Sequence, residues 1–167
     1  MAEHNVTKAV QRARELFITE ENTYGCAETT LVVLQEAYCF PNPSDSAPAM
    51  PLNGGIAWSG GPCGAITGAA LAVGRLAAER IEDHKEAKRA ARRIIADLME
   101  QFRREHGTVS CRDLVGLDIS TEEGHTAFIE GQVWHTVCMA QIEFVLHRLV
   151  ELQDEQSWQQ RLRTLET

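Results

Sequence analysis

The sequence predicts an all-α fold, a single-domain bundle of four main helices with short helices and one Pro/Gly-rich loop between them. Three observations predict it. Apolar residues return at three- and four-residue steps through most of the chain, the repeat of an amphipathic helix. No stretch reads as a strand. Pro and Gly concentrate in one region, from Pro41 to Gly64, which separates helical segments on either side. At 167 residues the chain is about one domain at the usual ~150 residues, long enough to bury roughly 70% of its unfolded surface without staples.

Val6, Ala9, Val10, Ala13, Leu16 and Phe17 predict a first helix from about Asn5 to Glu20. After the polar break Glu21 to Gly25, a second helix starts at Cys26 and runs to Tyr38, with Ala27, Leu31, Leu34 and Tyr38 on one face. Pro41, Pro43, Pro48 and Pro51, with Ser44, Asp45 and Ser46, predict a long connection that holds no regular element. The run Asn53 to Pro62, with Gly54, Gly55, Gly60 and Gly61, then leads into a third helix that is poor in side-chain bulk. Gly costs roughly 1 kcal/mol against Ala inside a helix, so the four-residue spacing of Gly64, Gly68 and Ala72 predicts the close approach of another backbone, and a homodimer is one way to supply it.

Ala87, Ala91, Ile94, Ile95, Leu98 and Phe102 predict the longest helix, from His84 to His106, closed by Gly107. Ser110 and Asp113 resemble a capping box for a short helix that opens at Cys111 and ends at Gly116. Ser120 and Glu123 repeat the capping signal. Val133, Val137, Ala140, Phe144, Val145 and Leu149 define a last long helix, followed by a polar tail containing Trp158.

Composition narrows the function. Hydrophobic residues make up 44% and charged residues 24% of the chain, the balance of a globular protein. With 16 Lys+Arg against 24 Asp+Glu the formal charge is −8, a field that repels phosphate backbones and anionic lipid and so disfavours nucleic acid and membranes as partners. The longest apolar run, Ala65 to Ala78, contains Thr67 and Arg75 and falls short of the ~20 residues that span a bilayer. Without a basic, apolar leader at its start, the chain is expected to be cytoplasmic.

The chemistry points to sulfur. Five cysteines, Cys26, Cys39, Cys63, Cys111 and Cys138, contain no C-x-x-C pair and no ferredoxin-like cluster. Cys26, Cys63 and Cys111 each follow a breaker and so open a predicted helix, where unpaired amides and the dipole favour an anion and lower a thiol's pKa. Packing as small hydrophobes is the competing account of these thiols, and the expected role of Cys39 and Cys138. The glycine-rich run matches no nucleotide loop; it suits backbone amides, Gly61 and Gly64 among them, crowding an anionic thiolate-bound group. His4, His84, His106, His125 and His147 are expected in solvent. His135 shares a helical face with Cys138, as a ligand, a donor to one, or an ordinary histidine. Glu28 and Asp113 sit in first turns, where dipole complementarity explains them.

Gly61-Pro62-Cys63-Gly64-Ala65-Ile66-Thr67-Gly68, with Gly25-Cys26-Ala27 before it and Cys111-Arg112-Asp113-Leu114 and Gly116 after it, resembles a family of redox-active proteins named for its C-GCAxxG-C-C arrangement and similar to the non-haem domain of split-Soret cytochromes. The resemblance implies a helical domain with redox chemistry. It implies four functional thiols, Cys26, Cys63, Cys111 and Cys138, with no counterpart for Cys39. The cytochrome relative implies an iron–sulfur cluster, foremost [2Fe–2S]; no C-x-x-C-H is present, so haem is not expected. The leading expectation is a cysteine-ligated cluster for electron transfer or redox sensing, exchanging electrons with a redox partner protein. A thiol–disulfide oxidoreductase using the same cysteines without metal, and a structural zinc module, are the alternatives.

Overall fold

The computed structural model describes residues 2–165. Its centre is α2 (Cys26–Ala37), which is buried on all sides rather than along one stripe: Thr29, Thr30, Val32, Val33 and Gln35 are as enclosed as Ala27, Leu31 and Leu34. Four elements surround it, namely α1 (Ala2–Phe17), a 3₁₀ helix (Ala47–Leu52), α3 (Gly64–Arg80) and α7 (Met139–Leu149). The first helix therefore lies three residues earlier than its apolar repeat suggests.

The Pro-rich connection holds one regular element, against expectation. Pro48 and Pro51 sit within the 3₁₀ helix, whose φ near −60° is the one the pyrrolidine ring imposes. Its Ala49 is fully buried, and the buried Gln35 amide donates to the carbonyls of Pro43 and Asp45, both at 2.9 Å, which fixes the chain that leads in.

The small residues of α3 face α2 of the same chain. A Cβ on Gly68 would lie 2.2 Å from the Ala27 carbonyl oxygen, and Ala72 is fully buried. This stripe is occupied internally, so it offers no face to a second copy. On its other side α3 packs against α4 (His84–His106), whose stripe Ala87, Ala90, Ile94, Leu98 and Phe102 is buried. Burying each of the large ones contributes about 1.5–3 kcal/mol. Asp83 caps its start by accepting from the Glu86 N–H, and Gly107, at φ 81°, ends it in the left-handed region.

Two short helices follow, α5 (Cys111–Val115) and α6 (Glu122–Glu130). Thr121 rather than Ser120 caps α6, accepting from Gly124 N–H at 3.0 Å. The Ser120 hydroxyl is turned instead onto Asp118. The expected single last helix is broken into pieces: a π-helical turn (Trp134–Cys138), α7, a 3₁₀ turn (Val150–Gln153) and α8 (Glu155–Thr164), which Asp154 caps. Trp158 is wholly buried under the Arg80 guanidinium rather than part of a polar tail. Carbonyls freed by the break find new donors: Tyr38 Oη on Leu149 O (2.9 Å) and Arg80 Nη1 on Leu152 O (2.8 Å).

Among the described residues no strand forms; the nearest approach is an isolated antiparallel bridge between Pro62 and Ser110. No helix described is long and apolar enough to cross a membrane.

Candidate functional site

The local rules that start helices also bring the sulfur atoms together. Gly25 caps α2 in extended conformation, where a Cβ would strike the Asn53 side chain at 2.2 Å. Asn53 lies that close because Glu28 holds it there. The buried Glu28 carboxylate accepts from Gly25 N–H (3.0 Å), Asn53 Nδ2 (2.8 Å) and Ser46 Oγ (3.0 Å), while Asn53 Oδ1 accepts from Ala27 N–H. Glu28 thus does more than complement a dipole: it ties the 3₁₀ segment to the helix start that carries Cys26.

Cys63 and Cys111 are set side by side by the Pro62–Ser110 bridge. Cys63 N–H donates to Val109 O (2.8 Å), Cys111 N–H to Gly61 O (2.6 Å) and Arg112 N–H to Gly60 O (3.1 Å), so α3 and α5 leave a common clasp. Ser110 caps α5 through the Asp113 amide, and Gly116, at φ 70°, closes it. Gly64 lets the start of α3 reach α2, since a Cβ there would lie 2.3 Å from Cys26 Sγ. Gly61 has a different duty from the expected one. Its N–H is spent on Gly55 O (2.9 Å), and its carbonyl receives Cys111 N–H, so it holds the clasp and has no free amide.

Cys26, Cys111 and Cys138 line one cavity of about 230 Å³, together with Phe17, Ile119 and Trp134 on its apolar side. Cys63 is buried next to it, its thiol donating to Gln141 Oε1 at 3.4 Å. All five cysteines are free. Among the described residues, no three His, Cys, Asp or Glu side chains already stand at metal-holding distances. The four thiols are nevertheless close enough to feel one another's charge: Cys138 responds to Cys26, Cys63 and Cys111, and Cys63 to Cys26 and Cys111.

Helix starts do not lower these pKa values. Burial dominates and pushes all four thiols up, Cys111 to about 12, with repulsion from Cys26 adding to it. Cys63 and Cys138 are raised too, first by burial and then by their sulfur neighbours. At Cys26 burial also raises the thiol, while the backbone N–H groups of Gly54, Ala27, Cys26 and Gly64 act against it. The glycine-rich approach expected for an anionic group is thus present at Cys26, but desolvation outweighs it for bare thiols.

One wall of the cavity is strained. Gly54, Gly55, Ile56, Ala57 and Trp58 all have φ between 50° and 71°. For the three non-glycine residues the left-handed region costs about 1–2 kcal/mol each. The segment is held by Ala57 N–H on Pro51 O (2.8 Å) and Gly60 N–H on Gly54 O (3.1 Å). It presents Trp58, half-exposed, to the cavity, with its ring 5.2 Å from that of His125. His125 is therefore a half-buried cavity residue rather than a solvated one, and His106 is likewise packed, between Phe102 and Phe144. His135 abuts the Trp134 ring at 3.9 Å. Cys39 is exposed, at φ 58°, and does not pack as a small hydrophobe.

Phe17, Asn53, Trp58 and Trp134 carry no signal of a site in the sequence. Trp134 precedes Cys138 by four positions, an interval that would suggest a shared face, yet nothing local marks the turn between them as π-helical. The family model described as "Putative redox-active protein (C_GCAxxG_C_C)" matches residues 24–152.

The chain belongs to the C-GCAxxG-C-C family. All four thiols of the site fall inside the matched span, as does the run Gly61-Pro62-Cys63-Gly64-Ala65-Ile66-Thr67-Gly68. The family span excludes α1 and α8, although α1 contributes Phe17 to the cavity and α8 contributes Trp158 to the core. Among curated proteins and among solved structures nothing matches the chain.

Proposed function

We propose that this member of a redox-active family is an iron–sulfur protein, with Cys26, Cys63, Cys111 and Cys138 as ligands and electron transfer or redox sensing as its role. The observation that carries the reading is that three of the four thiols line one largely apolar cavity and the fourth is buried within their electrostatic reach. Two further features fit such a group. The donor set is sulfur alone, which suits iron–sulfur clusters. The Trp134 indole N–H in the same cavity wall is buried with no acceptor. A bound cluster, foremost [2Fe–2S], supplies reversible one-electron chemistry.

The chain's own part is to bind, orient and exclude water. Each thiol must give up its proton to become a ligand. Burial makes that loss costly for the bare protein, so the pocket favours thiols until a cation compensates the charge. The amides of Gly54, Ala27 and Gly64 favour a charged Cys26 sulfur, and the apolar wall keeps the dielectric low. The same raised pKa values weigh against a metal-free thiol–disulfide enzyme, which needs an exposed thiolate near neutral pH. A reducing compartment such as the cytoplasm suits five free thiols.

Purification without oxygen from iron-replete cells tests the reading. Iron and acid-labile sulfide in equal amounts, with visible charge-transfer bands that bleach on reduction, are expected. A colourless protein without iron and sulfide overturns it. Zinc in their place assigns the pocket to a structural ion, and a reversible dithiol–disulfide couple without metal assigns it to thiol exchange.

A further inference from the structure

Trp134 is only 8% exposed, and its Nε1–H is buried without a partner among the described residues. Leaving such a donor unmet is destabilising, and a native fold keeps few of them without a reason. Indole nitrogen can only donate, so the missing partner is an acceptor. The carboxylate that lines the same cavity is already used: both Glu28 oxygens accept from Gly25, Asn53 and Ser46. The cavity wall also carries sulfur, from Cys26, Cys111 and Cys138, the last on the same turn as the indole.

The placement of the ring is specific. Trp134 opens the π-helical turn that Cys138 closes, so a single turn carries both the indole and a thiol. Phe17 meets the ring edge-on at 5.7 Å and 90°, and His135 at 3.9 Å and 81°, which fixes its plane. Turns of this kind are rare and concentrate at functional sites. A neutral thiol is a weak acceptor. A thiolate or inorganic sulfide is a strong one, because charge-assisted hydrogen bonds are roughly twice as strong as neutral ones.

We infer that the Trp134 indole N–H is a positioning and tuning donor to the sulfur atoms of the group bound in this cavity. This rests on the iron–sulfur reading above. Hydrogen bonds to cluster sulfur favour the more negative, reduced state and so raise the reduction potential.

The test compares anaerobically purified wild type, Trp134→Phe and Trp158→Phe in a redox titration, with iron and sulfide measured on each. Trp134→Phe keeps an aromatic ring against Phe17 and removes only the donor. A more negative potential than wild type at equal iron and sulfide is expected, with Trp158→Phe, remote from the cavity, unchanged. Equal potentials for wild type and Trp134→Phe overturn the inference while leaving the cluster intact; wild type without iron and sulfide overturns the cluster reading, and this inference with it. A second measurement needs no change at Trp134. Zinc is added to the reduced, metal-free wild type, and the Trp134 indole N–H resonance, assigned by elimination with Trp58→Phe and Trp158→Phe, is followed by NMR. A downfield shift on zinc addition supports the donor role, and a resonance that stays in place overturns it.

Discussion

The two ends of the bundle are built to different standards. At one end, around Tyr38, Leu149 and Trp158, side chains answer the break in the helix: Tyr38 and Arg80 donate to carbonyls that the 3₁₀ turn frees, Arg161 donates to Arg148 O, and Arg80 covers the Trp158 ring. At the other end, around Cys26, Cys111 and Cys138, an indole N–H has no acceptor among the described residues and three consecutive non-glycine residues, Ile56, Ala57 and Trp58, hold positive φ, against Cys39 beside Tyr38 at the first. Rule-breaking that persists in a folded protein tends to gather where function needs it. The contrast places the anchor of the fold at the Trp158 end and agrees with the chemistry proposed for the sulfur end.

The comparison breaks if the ends answer mutation alike. The largest effect is expected from Trp158→Ala, which empties a fully buried site and should cost about 3–5 kcal/mol in chemical denaturation. The iron, sulfide and thiol content of the folded fraction should not change. A Trp158→Ala protein of wild-type stability would show that this end is not the anchor.

A middle-sized effect sharpens the contrast from the other side. Ile56 is β-branched, 43% exposed and at φ 67°, so Ile56→Gly should relieve strain and raise stability by about 1–2 kcal/mol. A lower unfolding midpoint for Ile56→Gly would mean that its side chain, rather than its backbone, is what the segment needs.

The smallest effect concerns His106, outside both ends. Burial between Phe102 and Phe144 holds its pKa below the usual histidine value, with Arg148 acting the same way and Glu105 against them. A histidine depressed in the fold takes up its proton more readily in the unfolded chain, so its share of stability is complete above about pH 6.5 and declines as pH falls below it. Denaturation midpoints measured from pH 7.5 down to 5.5 (on the order of one unit either side) should fall for wild type and fall less for His106→Phe. Identical slopes would remove His106 as the cause.

How far these features were legible follows from the range of the forces that make them. The span of α4 and the short α5 are readable because local chemistry ends them: Asp83, Ser110, Gly107 and Gly116 act within one turn. The close packing implied by Gly64 and Gly68 is legible too, but not its partner, which long-range packing chooses as α2. The pKa direction at Cys26, Cys63 and Cys111 is misread from local position, because burial by distant elements exceeds what a helix start provides. Positive φ at Ile56, Ala57 and Trp58 has no local cue, since these side chains argue against it. Trp158 reads as part of a polar tail because its immediate neighbours are polar, and only the fold supplies Arg80 to cover it.

The π-helical turn before α7 has a consequence for how the last helix can vary. Widening one turn accommodates an extra residue, and each residue of an ordinary helix corresponds to about 100° of rotation. The inner rod from Met139 onward can therefore follow the registry demanded by its hydrophobic neighbours, while the outer segment bearing Trp134 and Cys138 is aimed independently. Such a swivel lets sulfur chemistry be re-aimed over generations without disturbing the interior that keeps the molecule folded.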